Sequence, residues 1–145
     1  MSELRTILLV EDNPGDVYLL KEAWKLARLG GQIIAVSTGQ DAIDFLRRQG
    51  RHKEALVPDL VILDMNLPIA SGRDVLAAIQ DDAELAPIPV AVLTTSAMDS
   101  DVCAAFGIDP SRFFVKPTQL DDLVVIVKQM AQVALTAHKR GRQAP

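Results

Sequence analysis

The chain has a single cysteine, Cys103, and only two histidines, His52 and His138, which lie far apart. One thiol excludes an internal disulfide framework and agrees with a reducing compartment, and these three residues have no zinc-ligand spacing. No apolar run reaches the ~20 residues that a membrane span requires, because charge or proline interrupts the longest ones. The polar start, Met1 to Thr6, leads straight into a strand-like run, so no cleaved signal peptide is expected. Gly-Lys-Ser and Gly-Lys-Thr are both absent, which excludes a P-loop nucleotide site. Positive charge is not in excess either: the formal net charge is −4, an argument against nucleic acid as the main partner. What is present is apolar substance. About half of the 145 residues are hydrophobic, enough for one domain with a sizeable core and too many for a disordered chain. A cytoplasmic single-domain protein, with neither membrane nor DNA as its partner, is the expectation.

Short apolar runs alternate with longer amphipathic stretches. Thr6 to Val10, Gln32 to Ser37, Leu60 to Leu63, Pro89 to Thr94 and Phe113 to Val115 are rich in Val, Ile and Leu and do not alternate with polar residues. Strands buried on both faces of a parallel sheet have this pattern. Between them, Val17, Leu20, Trp24 and Ala27 share one helical face behind an Asn13-Pro14 start, and Thr38-Gly39-Gln40-Asp41 opens a second helix with capping spacing. A third helix follows Gly72 and buries Val75, Leu76 and Ile79. A fourth is expected near Asp99 to Phe106, and a fifth from about Leu120 with Leu123, Val127, Met130 and Ala134 inward. Gly50 to Pro58 is a longer connection, and 138–145 (HKRGRQAP) is expected to be a loose basic tail behind a domain of residues 1–137. Trp24 and Cys103 are expected to serve packing. Five βα units in series predict an α/β fold: a doubly wound, five-stranded parallel sheet of order 2-1-3-4-5 with five helices.

Three carboxylates follow the two central strands: Glu11 and Asp12 after the first, Asp64 after the third. In the 2-1-3-4-5 order these strands are neighbours and the winding reverses between them, which is where such sheets bind ligands. Two like charges ~4 Å apart repel by about 4 kcal/mol at an effective dielectric near 20, so a fold that keeps the cluster needs a cation there. Magnesium suits it, taking one or two carboxylates, several waters and phosphate oxygens. Thr94 ends the fourth strand and Lys116 follows the fifth, adding a hydroxyl and an ammonium to the same rim. Together they suit phosphoryl transfer, where catalysis is mostly positioning and charge neutralisation.

The segments LLVEDNPGD, VILDMNLPIASGRDVL, PVAVLTTSA and FFVKP have the order and spacing of bacterial response-regulator receiver domains, and the resemblance covers roughly residues 5–135. Within that family the chain resembles the stand-alone receivers that serve bacterial phytochromes. The resemblance implies that Asp64 accepts a phosphoryl group from a phosphohistidine of a sensor histidine kinase, with a bacteriophytochrome as the candidate. It implies Asp12 and Asp64 as magnesium ligands with the backbone carbonyl of Asn66, and Glu11 acting through a metal-bound water. Thr94 matches the switch hydroxyl, Phe113 the rotating aromatic, and Lys116 the phosphate-binding lysine, whose bond to Pro117 is usually cis in the family. The chain departs from the family's habit at Ile69-Ala70-Ser71, at Thr95, and at Phe113, which lacks the common tyrosine hydroxyl.

The resemblance implies a phosphoacceptor that promotes its own phosphorylation and dephosphorylation, and a conventional enzyme is not expected. A haloacid-dehalogenase-type phosphatase needs a second Asp two residues after the nucleophile, where this chain has Asn66. A receiver that only docks partners without taking phosphate is the other alternative. With 29 residues after Lys116, output by DNA binding in cis is not expected, and the signal leaves through an unknown downstream protein or a homodimer. Val124, Ala131 and Leu135 form a second apolar row on the fifth helix, expected to be exposed and to pair with its twin in a dimer.

Overall fold

The computed structural model describes residues 4–143, with side chains described through residue 137. Five parallel strands, β1 (Thr6–Val10), β2 (Gln32–Val36), β3 (Leu60–Leu63), β4 (Val90–Thr94) and β5 (Phe113–Val115), pair in the order β2-β1-β3-β4-β5. The helices are α1 (Pro14–Leu26), α2 (Gly39–Arg47), α3 (Gly72–Gln80), α4 (Ser100–Ala105) and α5 (Leu120–Gln143). The doubly wound order expected from the apolar runs is the one observed.

Every residue of β1, β3 and β4 is buried, as their unbroken hydrophobicity requires. Alternate side chains supply two cores. Leu8, Val10, Val61, Leu63, Val90 and Val92 pack with α2, α3 and Cys103 on one face. Ile7, Leu9, Leu60, Ile62, Ala91 and Leu93 pack with Leu20 and Trp24 of α1 and with α5 on the other. Each fully buried large aliphatic side chain contributes roughly 1.5–3 kcal/mol. β2 and β5 differ from the reading of strands covered on both faces. They are the sheet's edges, and most of their residues are half-buried or exposed.

Helix starts follow the polar residues that precede them. Asn13, Thr38 and Ser71 each accept a hydrogen bond from the backbone N–H three residues on, and Ser71 with Asp74 completes a reciprocal capping box. The fourth helix is shorter than expected at six residues, because a 3₁₀ turn (Ala97–Asp99) precedes it and Gly107 at φ 81° follows. The connection after α2 contains a 3₁₀ turn (Gly50–His52) tied back to the helix, with Asp41 pairing to both Arg51 and His52.

Two expectations for α5 are corrected. Backbone helix continues to Gln143, through most of the stretch read as a loose tail, since no proline occurs before residue 145 to stop it. Residues 144–145 lie outside those described. The proposed dimer row is not a free surface: Ala131 is buried in the second core, and Val124 and Leu135 are half-buried against it. α5 packs against α1 as well as the sheet, so its apolar stripe is broad, and Val124, Ala131 and Leu135 fall within it. Another expectation fails at Pro117, whose preceding peptide bond is trans like the others described. For an X–Pro bond the two isomers differ by only about 0.5–1 kcal/mol.

Two glycines let chain segments approach one another closely. At Gly39 an added Cβ would lie 1.9 Å from the Ala70 carbonyl oxygen, because the loop after β3 lies on the start of α2 and Ile69 O accepts from Gln40 N at 2.9 Å. Ile69 and Ala70, where the chain departs from the family's habit, take left-handed backbone (φ 45° and 70°) to make this approach. At Gly72 an added Cβ would lie 2.6 Å from Met65 Cα and 2.9 Å from the Asp64 carbonyl oxygen. Gly72→Ala should therefore lower stability by about 1–3 kcal/mol in urea unfolding despite alanine's better helix propensity. Gly30→Ala, with open space around the new methyl, is the control expected to be near neutral. Equal midpoints for the two variants would contradict the packing account.

Candidate functional site

Parallel pairing brings the acids together. Val10 and Leu63 are register partners, so the residues that follow them leave the sheet side by side. Asp64 N donates to Val10 O at 3.0 Å and Glu11 N to Val36 O at 3.0 Å, extending the ladder one step beyond the assigned strands. Glu11 and Asp64 are 5% and 6% exposed, whereas Asp12 is exposed at the mouth. Each of Glu11, Asp12 and Asp64 offers a carboxylate oxygen within 4.8 Å of the others. A hard divalent cation fits this all-oxygen set, two of whose members are already withdrawn from water.

The opposite wall comes from β4 and β5. Lys116 N donates to Thr94 O at 2.7 Å, which holds the two strand ends together. From there the Lys116 side chain reaches across the rim, and Nζ lies 2.5 Å from Glu11 Oε1, 2.9 Å from Asp16 Oδ2 and 3.0 Å from Asp64 Oδ2. Burial alone would lower the ammonium's pKa, but hydrogen bonds to Glu11, Asp16 and Asp64 outweigh it and hold Lys116 charged, above the ordinary lysine range. Burial pushes the Glu11 carboxyl up to about 7, with Asp64's charge adding to the effect, against hydrogen bonds from Lys116 and the Asn13 N–H. Asn66 N donates to Asp64 Oδ1 at 3.0 Å, so the residue whose carbonyl was expected as a ligand is tied to the central carboxylate through its N–H.

Thr94 is fully buried, and its hydroxyl donates to Asp99 Oδ2 at 2.8 Å. That bond turns the hydroxyl toward the segment leading into α4. Phe113, at the start of edge strand β5, is half-buried against the first core. Glu11, Asp12, Asp64 and Lys116 thus meet at one point, Thr94 stands on the same rim, and Phe113 lies two residues below it along β5.

Two contacts were not anticipated. Asp16 shares Lys116, and Asp99 holds Thr94. Asp16 had a readable signal: Asn13 caps α1 and fixes Asp16 at its third position, in the turn that overhangs the end of β1. Asp99 had none, because the five residues from Thr94 pass through an irregular turn with no periodicity to follow.

The model of the response regulator receiver domain matches residues 7–128. Response regulator Rcp1 of Synechocystis sp. is 38% identical over 124 residues, covering 86% of this chain and 84% of that protein. Among solved structures, the phosphorylated cyanobacterial phytochrome response regulator RcpA is 36% identical with a TM-score of 0.78, covering 88% of this chain and 90% of that one. The bacteriophytochrome response regulator AtBRR is 31% identical with a TM-score of 0.75, covering 91% and 95%. A manganese-bound form of Rcp1 has been solved as well, 38% identical with a TM-score of 0.75, covering 86% and 89%. With the family model spanning most of the chain and these relatives matched nearly end to end, this protein belongs to the response-regulator receiver domains.

Proposed function

We propose that this chain is a single-domain response regulator that takes a phosphoryl group on Asp64 from a phosphohistidine of a sensor kinase, in a light-sensing system of the phytochrome kind. The observation that carries this reading is the convergence of a lysine ammonium and three carboxylates on one rim, with Lys116 Nζ 3.0 Å from Asp64 Oδ2. Similarity to the phytochrome response regulators RcpA and AtBRR supports the phytochrome link.

An Asp64 carboxylate oxygen forms the new P–O bond as the P–N bond to the partner's imidazole breaks, the ring nitrogen keeping the electron pair. Glu11, Asp12 and Asp64, with the Asn66 carbonyl, are the residues to hold magnesium, which when bound offsets negative charge on the transferring oxygens. Lys116 supplies the protein's own cation, already charged and aimed at Asp64. After transfer, the Thr94 hydroxyl leaves Asp99 for a phosphoryl oxygen, and Phe113 repacks as the end of β4 shifts. The group thereby moves a two-state equilibrium that a kinase sets and a downstream protein reads. Water then hydrolyses the acyl phosphate, returning the resting state.

Acetyl phosphate with magnesium should add one phosphoryl group per chain, measured by intact mass, and Asp64→Asn should abolish it. Undiminished labelling of that variant would reject the reading. Thr94→Ala should still be labelled, because Asp64 carries the transfer, but amide shifts around Phe113 on adding beryllofluoride should be muted. A wild-type shift pattern would place the switch elsewhere.

Magnesium binding should also be linked to a proton. Glu11 holds its proton up to about pH 7, and a cation at the cluster favours the carboxylate. Affinity should therefore fall as pH drops from 7 toward 5, by at most about tenfold per unit, and level off above 7. Glu11→Gln should flatten that slope in calorimetric titrations. An equal slope in the variant would assign the proton to another group.

A further inference from the structure

We infer that Asp16 is a positioning residue for the phosphoryl-transfer site, the carboxylate that keeps Lys116 in place once a cation occupies the acidic cluster; this rests on the function proposed above. Lys116 Nζ has three carboxylate partners, and they are not equivalent. Glu11 and Asp64 belong to the set whose oxygens crowd within 4.8 Å of one another. A divalent ion drawn to that set competes with the ammonium for the same oxygens, and two cations on shared oxygens repel each other. Asp16 lies outside the set, and its Oδ2 is 2.9 Å from Nζ.

The backbone makes Asp16 a fixed point. It is the third residue of α1, its N–H donates to the Asn13 side chain at 3.1 Å, and Pro14 stiffens the turn between them. α1 in turn packs through Leu20, Ala23 and Trp24 into the second core. The ammonium is therefore tethered from a rigid helix on the side of the site away from Thr94. A lysine side chain is a flexible four-carbon stem, so with Glu11 and Asp64 engaged by a cation this tether is the carboxylate contact left to fix its position. The arrangement divides the labour: Asp16 fixes where the ammonium stands, and the ammonium meets whatever charge develops at Asp64. The Asp16 carboxylate's ion pair is with Lys116, so its influence on Asp64 runs through that ammonium.

A carboxylate in the first turn of a helix also favours the helix dipole, and that merely structural role makes a different prediction. The test is a double-mutant cycle in the full chain, read as the affinity of beryllofluoride in excess magnesium, with wild type, Asp16→Ala, Lys116→Met and the double variant. Asp16→Ala should weaken binding about tenfold in the wild-type background, the low end for one charge-assisted hydrogen bond, and less than twofold when Lys116 is already Met. Asp16→Asn, which keeps an acceptor oxygen without the charge and keeps the turn, should lose less than Asp16→Ala and stands in for it if the alanine variant does not fold. A second readout needs no phosphoryl mimic. In magnesium-loaded protein the Lys116 ammonium protons should give a slowly exchanging ¹H–¹⁵N signal that disappears in Asp16→Ala.

Equal losses in both backgrounds would reduce Asp16 to a helix residue and overturn the inference, as would an ammonium signal unchanged in the variant. Failure of wild-type protein to bind beryllofluoride would sink the acceptor reading itself, and this inference with it. Wild-type binding with a flat cycle would sink the role of Asp16 alone.

Discussion

Mutual repulsion among carboxylates at the ends of β1 and β3 is the constraint around which this molecule is arranged. Two like charges ~4 Å apart repel by about 4 kcal/mol at an effective dielectric near 20, and part of that cost is met by the proton that burial keeps on Glu11 up to about pH 7. Glu11 and Asp64 are nearly withdrawn from water, which sharpens the cost. Among the described residues the only cation paired with them is Lys116, and it reaches the cluster from the edge strand β5. Its three contacts span 52 to 105 positions in sequence, so the central charge balance exists only when β1, β3 and β5 and the start of α1 are all in place. The site is a product of the tertiary fold, and a cation added to it shares with Lys116 the task of balancing the carboxylates.

That arrangement links stability to switching. The buried strands leave no slack beneath the rim: Val10, Leu63 and Thr94 are each fully buried. What lies above them is packed less deeply. The segment that leads into α4 has a 3₁₀ turn, a short helix and one buried residue, Cys103, to hold it. Thr94 is hydrogen-bonded to Asp99 in this loosely held segment, and not to the rigid β1–β3 side. In the function proposed here this segment, reached through Thr94, is what responds to a change of charge at Asp64.

Much of this could be read from the residues. The unbroken Val, Ile and Leu of β1, β3 and β4 announced strands covered on both faces, and the position of Glu11, Asp12 and Asp64 directly after two of them announced that the three carboxylates would meet. Lys116 and Thr94 followed from strand ends alone. The sequence reading failed where a residue's surroundings depend on non-local packing. Ala131 belongs to a row that local helical geometry leaves at the edge of the stripe, and only the approach of α1 shows that this edge is covered. The edge strands β2 and β5 look as apolar as the central ones because each still presents side chains to helices. Asp16 reads as an ordinary acid in a first turn until the fifth strand brings Lys116 over it.

The central claim is that Asp64, and neither Asp12 nor Glu11, forms the acyl phosphate. Borohydride reduces an aspartyl phosphate to homoserine, leaving a permanent mark at the phosphorylated residue. After phosphotransfer from a phytochrome-type kinase and reduction, peptide mass spectrometry should find homoserine at position 64 alone. Homoserine at position 12, reduction of Glu11, or an unmodified Asp64 in protein that carries label would contradict the account.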